Sequence, residues 1–182
     1  MTMPTFTDGV VVHQASLNAL STGINNINSL LTGAVAPRAY VPTAAAYTNA
    51  SHNVNSAADT IITFDAALTN NDNMWVASNS NFTVNTAGIY IIYGQVHFAS
   101  NNTGSRAVHL LLNGTAVGNS VAAHNHPGMT TGDGVALTAI SPPWSLSVGA
   151  TIYMSVYQDS GGLLATTVTF SGTYMAAIRL GD

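Results

Sequence analysis

Histidine is the residue type in this chain best suited to chemistry, because the stronger catalytic side chains are few or missing. The 182 residues include six His and no Cys, and the sequence contains neither Lys nor Glu. His124 and His126 flank Asn125 in the segment His-Asn-His-Pro-Gly-Met, and alternating residues of an extended chain point the same way. Imidazole suits Zn, Ni or Cu, but two ligands per chain do not define a site. We therefore predict no metal site, with His124 and His126 as the only candidate ligands.

The other role open to these histidines is hydrogen bonding or surface contact. His124, Asn125 and His126, with Asp133 further along, form a possible ligand loop rich in imidazole and amide groups. His97 and His109 fall on predicted strands, where copies arranged around an axis would make a ring of imidazoles or simply fill an interface. Hydrogen bonding or surface contact is the simpler interpretation for each of these four histidines, because it requires no further metal ligands.

The acidic residues do not indicate an active site. Glycoside hydrolysis requires two facing carboxylates, and covalent catalysis requires a nucleophile such as Cys, Lys or the Ser of a Gly-x-Ser-x-Gly turn. Asp is the only acidic residue type, and it occurs mostly in turn-like contexts, at positions 8, 59, 65, 72, 133, 159 and 182. We therefore predict that the protein is not an enzyme and uses no cofactor.

The composition favours a protein that associates with copies of itself. Charged residues make up 5% of the chain and hydrophobic residues 47%, whereas charged residues are about a quarter of ordinary domains. Such a surface is poorly protected against association, which favours an obligate oligomer over a merely neutral, Asn- and Thr-rich β protein. The net charge of −4 argues against nucleic-acid binding. No apolar run reaches the ~20 residues of a membrane span.

The stretch from Phe82 to Ser100 is the one around which the other strands are expected to pair. Ile89 to Phe98 is apolar, β-branched and aromatic without Pro or charge, which suits a central strand buried on both faces. Gly94 would mark a bulge or the close approach of another backbone. Asn113-Gly114 predicts a type I′ hairpin. Other strands are predicted at residues 44–47, 60–64, 82–84, 106–112, 115–122, 134–140, 151–158 and 166–179, which indicates an all-β sandwich or jelly roll.

The first 33 residues have a different pattern. Met1 to Val12 is typical of an extended arm, and a helix is predicted from His13 to Leu31. Its apolar residues follow heptad spacing, which favours a short coiled-coil stalk but leaves open a single helix docked on another protein. These residues are Leu17, Leu20, Ile24, Ile27 and Leu31. We therefore divide the chain into an attachment arm and stalk (1–33), a linker (34–43) and a head domain (44–182).

Six positions stand at a fixed spacing that we call the core signature: Phe64, Asn70, Trp75, Phe82, Gly88 and Tyr90. This spacing resembles the signature of the complement-type globular head domain, a relative of the tumour necrosis factor jelly roll. The segment from Phe170 to Tyr174 is similar to the last strand of that family, whereas Ile92 and Gly94 depart from its pattern. The resemblance implies a jelly-roll β-sandwich head and, as in other members, a homotrimer around a threefold axis. The signature aromatics would then be core residues.

The N-terminus resembles a second group of proteins. Residues Phe6 to Val11, followed by Leu17-Asn18, are similar to the N-termini of short tail and head-fibre proteins of phages infecting actinobacteria. The two resemblances together imply a trimeric virion structural protein, a minor tail or tail-tip fibre component that contacts the host surface. Its arm would bind other virion proteins, and its head a cell-wall glycan. Contact loops are expected away from the stalk, at residues 71–74, 101–105, 124–134 and 159–163.

Two other functions fit the same features. One is a capsid decoration protein or head fibre, anchored by its N-terminal segment. The other is a bacterial structural or signalling protein that carries the same head. In the virion interpretations the protein is assembled in the host cytoplasm, which fits a chain without cysteines.

Overall fold

The long apolar stretch forms a central strand with partners on both sides. In the computed structural model, which describes residues 41–77, 79–129, 134–168 and 172–182, this strand is Gly88–Phe98. Its pairing runs through Gly94 without a register shift. A Cβ at Gly94 would stand 2.7 Å from the side chain of Leu110 in the opposite sheet. Gly94 therefore marks a close approach rather than a bulge.

The described residues contain thirteen strands and one 3₁₀ helix, Val117–Asn119. In chain order the strands are β1 (Thr43–Tyr47), β2 (Asn53–Val54), β3 (Thr60–Ile61), β4 (Ala66–Asn70), β5 (Asn81–Thr83), β6 (Gly88–Phe98), β7 (Asn101–Leu112), β8 (Ser120–Met129), β9 (Val135–Ile140), β10 (Trp144–Leu146), β11 (Thr151–Gln158), β12 (Leu164–Ala165) and β13 (Tyr174–Gly181). Within these ranges no helix has the length and hydropathy needed to cross a membrane.

Two antiparallel sheets form the head. Sheet I has the order β10-β6-β13-β1-β4, and β9 pairs with the second half of β6 on the same side as β10. Sheet II has the order β3-β11-β7-β8, and β5 pairs with β11 beside β3. The short strands β2 and β12 form a separate pair. The all-β sandwich expected from the sequence is confirmed.

The core lies between the sheets and follows the period of two of a β-strand. Tyr90, Ile92, Val96 and Phe98 of β6 alternate along the strand and are completely buried. They belong to one cluster with residues of sheet II that include Val108, Leu110, Ile152, Met154 and Val156. Burial of this apolar surface is the main stabilising contribution, at about 25 cal/mol per Å².

The connection after β7 differs from the predicted hairpin. Asn113 adopts a φ of 55°, as a turn residue would, but the partner strand begins only at Ser120. Strand β11 holds Asn113 instead: Asn113 N donates to Thr151 O (2.8 Å) and Asn113 Oδ1 accepts from Thr151 N (2.9 Å). The strand predicted at 115–122 is therefore wrong for most of its length, since a 3₁₀ turn precedes β8.

Several other predictions differ from the structure or lie outside it. The segment predicted as one strand at 166–179 contains β13 only in its second half, and β12 ends at Ala165. The arm, the stalk residues Leu17, Leu20, Ile24, Ile27 and Leu31, and the positions Asp133 and Phe170 lie outside the described residues. They stay predictions, as does the division at residues 33 and 43. Residues Val41–Asp182 form one compact unit.

Candidate functional site

Among the described residues, the strands of sheet I carry no charged side chain on their outer face. Its residues alternate with the core positions of each strand, and the strand register brings them side by side. We call this set the open face: Thr43, Ala45 and Tyr47 of β1, Ile89, Ile91, Tyr93, Gln95 and His97 of β6, Ala136, Thr138 and Ile140 of β9, and Tyr174, Ala176 and Ile178 of β13. Ile140 is 59% exposed and Ile178 is 42% exposed. The open face thus presents uncharged, largely apolar surface.

A hydrogen-bonded group of side chains crosses this face. The Tyr174 hydroxyl donates to the Tyr93 hydroxyl (3.0 Å), which donates to Gln95 Oε1 (3.1 Å). Thr138 Oγ1 donates to the same oxygen (3.4 Å), and Gln95 Nε2 donates to the carbonyl of Gly172 (3.4 Å). The two tyrosine rings stack with centroids 5.3 Å apart. We call Tyr93, Gln95, Thr138 and Tyr174 the tyrosine–glutamine network.

A groove adjoins the open face where β1 ends and β13 begins. Its volume is about 480 Å³, and its lining consists of Tyr47, Thr48, Asn49, Leu68, Val168, Gly172, Thr173 and Tyr174. Tyr47 and Tyr174 belong to both the groove and the open face, so the two surfaces are continuous. Leu68 at the groove is 66% exposed. The groove therefore extends the apolar surface that sheet I offers.

The loops predicted to contact a ligand do not all lie at the same end of the sandwich. Asn71 is at the end where β1 begins, because its Oδ1 accepts from Thr43 N (2.7 Å) and its backbone N donates to Thr43 O (3.1 Å). Strand register pairs Arg106 with both Gln158 and His126. Residues 101–105, residues 159–163 and the described part of 124–134 therefore lie at the opposite end. We call the two ends the Thr43 end and the Arg106 end. The inclusion of residues 71–74 in one contact surface is wrong.

A buried cation supports the backbone at the Arg106 end. The Arg106 side chain is completely buried. Its Nη1 donates to Thr103 O (2.9 Å) and Ser105 O (2.8 Å), and its Nη2 donates to Asn101 O (3.3 Å). Burial lowers the pKa of Arg106, Asp159 acts in the opposite direction, and the guanidinium remains charged. One side chain thus satisfies several carbonyl groups in the first residues of β7.

The first residues of β7 also bind the turn after β11. Asp159 Oδ1 accepts from the backbone N and from the hydroxyl of Ser105. Gly104 has a φ of +70°, and a Cβ there would collide with Asp159. Gln158 is also completely buried, and its Nε2 donates to Val54 O (2.9 Å) and Gly162 O (2.7 Å). Buried polar side chains therefore preorganise the backbone at this end.

The predicted ligand loop is mainly strand. His124, Asn125 and His126 lie on β8, and Asp133 lies outside the described residues. His124 Nδ1 is 3.1 Å from Thr138 O and 3.3 Å from Thr138 N, whereas His126 Nδ1 is 2.6 Å from Pro127 O. The two rings thus bind separate backbone groups. Among the described residues, no cluster of three or more His, Cys, Asp or Glu is arranged to hold a metal ion.

The other two histidines considered as interface residues lie on different sheets. His97 belongs to the open face, where its Nδ1 is 2.6 Å from Thr167 Oγ1. His109 lies on β7 in sheet II, and its buried Nδ1 has no hydrogen-bond partner. The structure therefore does not bring these two imidazoles together on one face.

The core signature residues lie near one another in the sandwich. Phe64, Phe82 and Tyr90 are completely buried, and Trp75 is 6% exposed. Asn70 fixes the connection to Trp75, because its Nδ2 donates to Trp75 O (2.7 Å) and its Oδ1 accepts from Trp75 N (3.0 Å). At Gly88 a Cβ would collide with Arg179 Nε and Gly181 O. The four aromatic residues therefore belong to the core, and Asn70 and Gly88 shape the connections between strands.

Comparison with known proteins agrees with this geometry. A family model described as the C1q domain matches residues 44–175. Among solved structures, the globular domain of zebrafish complement 1qA protein has a TM-score of 0.51 at 12% identity, covering 76% of this chain and 97% of that one. No curated protein matches the chain significantly.

Two further solved structures have the same fold. Murine APRIL at pH 5.0 has a TM-score of 0.55 at 14% identity and covers 76% of this chain and 98% of its own. Eiger TNF from S. frugiperda has a TM-score of 0.52 at 15% identity, with 78% and 94% covered. At such identities the likeness shows the fold alone. It confirms the tumour-necrosis-factor-like jelly roll that the core signature implied.

Proposed function

The chain belongs to the C1q domain family, and we propose that it is a non-enzymatic homotrimer whose copies meet through the open face. The observation that carries the proposal is the open face itself, which is uncharged, largely apolar and exposed at Ile140 and Ile178 in a single copy. A chain with 5% charged residues has few other means of keeping such a face from unspecific association. The homotrimers that jelly-roll heads of this family form also support it.

Charge introduced into the open face tests the trimer. At micromolar concentration, light scattering should give the full chain about three times the 18.7 kDa of one chain. Ile178→Asp should lower that mass, because a carboxylate would be buried against apolar surface without a partner. Leu163→Asp is the matched control, since Leu163 is 66% exposed outside the open face. A wild-type chain with the mass of one copy would contradict the homotrimer, and a trimeric Ile178→Asp variant would contradict this interface.

We further propose that the trimer is a phage virion component, a minor tail or tail-tip fibre protein that contacts the host cell surface. The resemblance of Phe6 to Val11 to phage fibre N-termini supports this role. The preorganised Arg106 end supports it too, because its exposed Asn and Thr side chains suit a neutral cell-wall glycan. Three weak sites on one particle component would act together by avidity. The virion would be its site of action, after assembly in the host cytoplasm.

The second candidate is a capsid decoration protein or head fibre. The same N-terminal resemblance favours it, since that group includes head-fibre proteins. In this function the N-terminal segment would attach the trimer to the capsid shell. The head would project from the shell and would bind no host receptor.

Particle experiments separate these functions. Antibody raised against the head should label the tail in electron micrographs, and saturating free head should reduce adsorption to the host. Label on the capsid, with unchanged adsorption and altered particle stability, would favour decoration. Deletion of Met1–Gly33 should leave a folded head that no longer enters particles. Normal incorporation of the truncated chain would refute the attachment role of the arm.

A further inference from the structure

We infer that the tyrosine–glutamine network determines how one copy of the chain aligns with the next across the open face. The inference rests on the proposed homotrimer and concerns its specificity. It concerns four hydrogen-bonded side chains that lie side by side on β6, β9 and β13 within that face. The intended partner is a second copy of this chain, because an uncharged apolar face is matched by another uncharged apolar face.

The apolar residues of the open face do not define one alignment by themselves. Hydrophobic contact has no preferred direction. Ile89 and Ile91 repeat along β6, and Ile178 lies beside Ile91 on β13. Displacement of a partner by two residues, about 7 Å along a strand, would therefore exchange one aliphatic contact for a similar one. Something other than aliphatic contact has to distinguish the correct alignment.

The network supplies that distinction because its hydrogen bonds are already made within one copy. Both tyrosine hydroxyl protons and the Thr138 hydroxyl proton have acceptors, so the group can enter an interface without losing an internal partner. The hydroxyl oxygens of Tyr174 and Thr138, which act as donors within the network, keep the capacity to accept a bond. A displaced partner would place aliphatic groups against these oxygens and strip them of water, which is unfavourable.

The network is also rigid enough to discriminate. Gln95 is 8% exposed, and its amide is held by the carbonyl of Gly172 (3.4 Å). The stacked rings of Tyr93 and Tyr174 restrict each other, with an interplanar angle of 24°. A fixed polar group within an apolar interface specifies register and oligomer state in other assemblies, at some cost in stability. We infer that the tyrosine–glutamine network specifies the register of a second copy in the same way.

Removal of the two hydroxyl groups tests the inference on the full chain. The double variant Tyr93→Phe with Tyr174→Phe keeps both rings and removes two hydrogen bonds, the one between the tyrosines and the one from Tyr93 to Gln95. Native mass spectrometry should show a single trimer for the wild type and loss of that single species in the double variant, replaced by a mixture of dimers, trimers and larger forms. Tyr157→Phe is the matched control, because Tyr157 lies on the outer face of sheet II. It should stay trimeric.

The outcomes separate this inference from the homotrimer. A double variant that forms the same single trimer as the wild type would overturn the inference and leave the homotrimer standing. A monomeric wild type would overturn the homotrimer. Circular dichroism checks that the double variant is folded. If it is not, Tyr174→Phe alone provides the test, and a uniform trimer from that variant would equally overturn the inference.

Discussion

Tyr174 is a residue whose surroundings favour one protonation state. Burial raises its pKa to about 12, and the hydrogen bond and the charge interaction with Tyr93 act in the same direction. The neutral phenol can donate to Tyr93 (3.0 Å), whereas a phenolate could not. The open face therefore stays uncharged at this position over the whole physiological range.

This pKa predicts an alkaline dependence of stability. Because the folded-state pKa of Tyr174 lies above the ordinary value of 10, the unfolded chain loses its proton first as pH rises. The stabilising contribution is complete below pH 10 and is lost as pH rises toward about 12. Urea unfolding at a series of alkaline pH values should show a steeper loss for the wild type than for Tyr174→Phe. Tyr157→Phe serves as the control, and parallel curves for wild type and Tyr174→Phe would contradict the prediction.

At the residue scale, the sequence identified side-chain types better than it identified their partners. His124 and His126 stand out in a chain so poor in charge, yet each ring binds a nearby backbone carbonyl. Tyr93 and Tyr174 are 81 residues apart, and only the register of β6 with β13 brings them together. The sequence does show that both faces of β6 are apolar, which indicates that its outer face is covered. It does not show which polar side chains lie on that face.

At the scale of the elements, Gly94 shows how closely the sheets approach. A Cβ at this position would stand 2.7 Å from Leu110 Cδ2 and 3.0 Å from Met154 Sδ. Gly94→Ala should therefore destabilise the head by about 1–3 kcal/mol through overpacking. Gly118→Ala is the control, because nothing lies within 4 Å of a Cβ at Gly118. Thermal or urea unfolding of the two variants provides the measurement.

A second substitution identifies the cause of that loss. Leu110→Ala alone should cost about 2–5 kcal/mol, because it leaves a cavity in the core. It also removes the atom that a Cβ at Gly94 would meet, so the double variant should be less destabilised than the sum of the two single variants. Strict additivity would mean that backbone conformation, not packing, explains the requirement for glycine.

The strands that the sequence predicted well are those with long apolar runs. Strands β6 and β11 are rich in β-branched and aromatic residues, and their predicted positions agree closely with the structure. Strands β4 and β10, Ala-Ala-Leu-Thr-Asn and Trp-Ser-Leu, are too short and mixed to give a periodic signal. Strands β7 and β8 do pair, but the tight Asn113-Gly114 turn is wrong because β11, distant in sequence, holds Asn113. Local patterns cannot report such long-range competition.

At the scale of the whole molecule, the scarcity of charge and the open face have one explanation in common. A chain with three basic and seven acidic residues resists unspecific association poorly. If specific association covers the open face, the surface left to solvent is richer in Asn, Thr and Ser. A trimer would then carry three Arg106 ends, one per copy, which raises the effective strength of weak contacts.

The buried guanidinium of Arg106 has a consequence for how this protein can diversify. It binds the first residues of β7 through the main-chain carbonyls of Asn101, Thr103 and Ser105. Every residue type has a main-chain carbonyl, so these bonds do not depend on the side chains. Point substitutions at exposed positions such as Asn102 therefore change the chemistry of the outer surface without changing the path of the backbone. Related proteins would differ in such side chains while they retain Arg106 and Gly104.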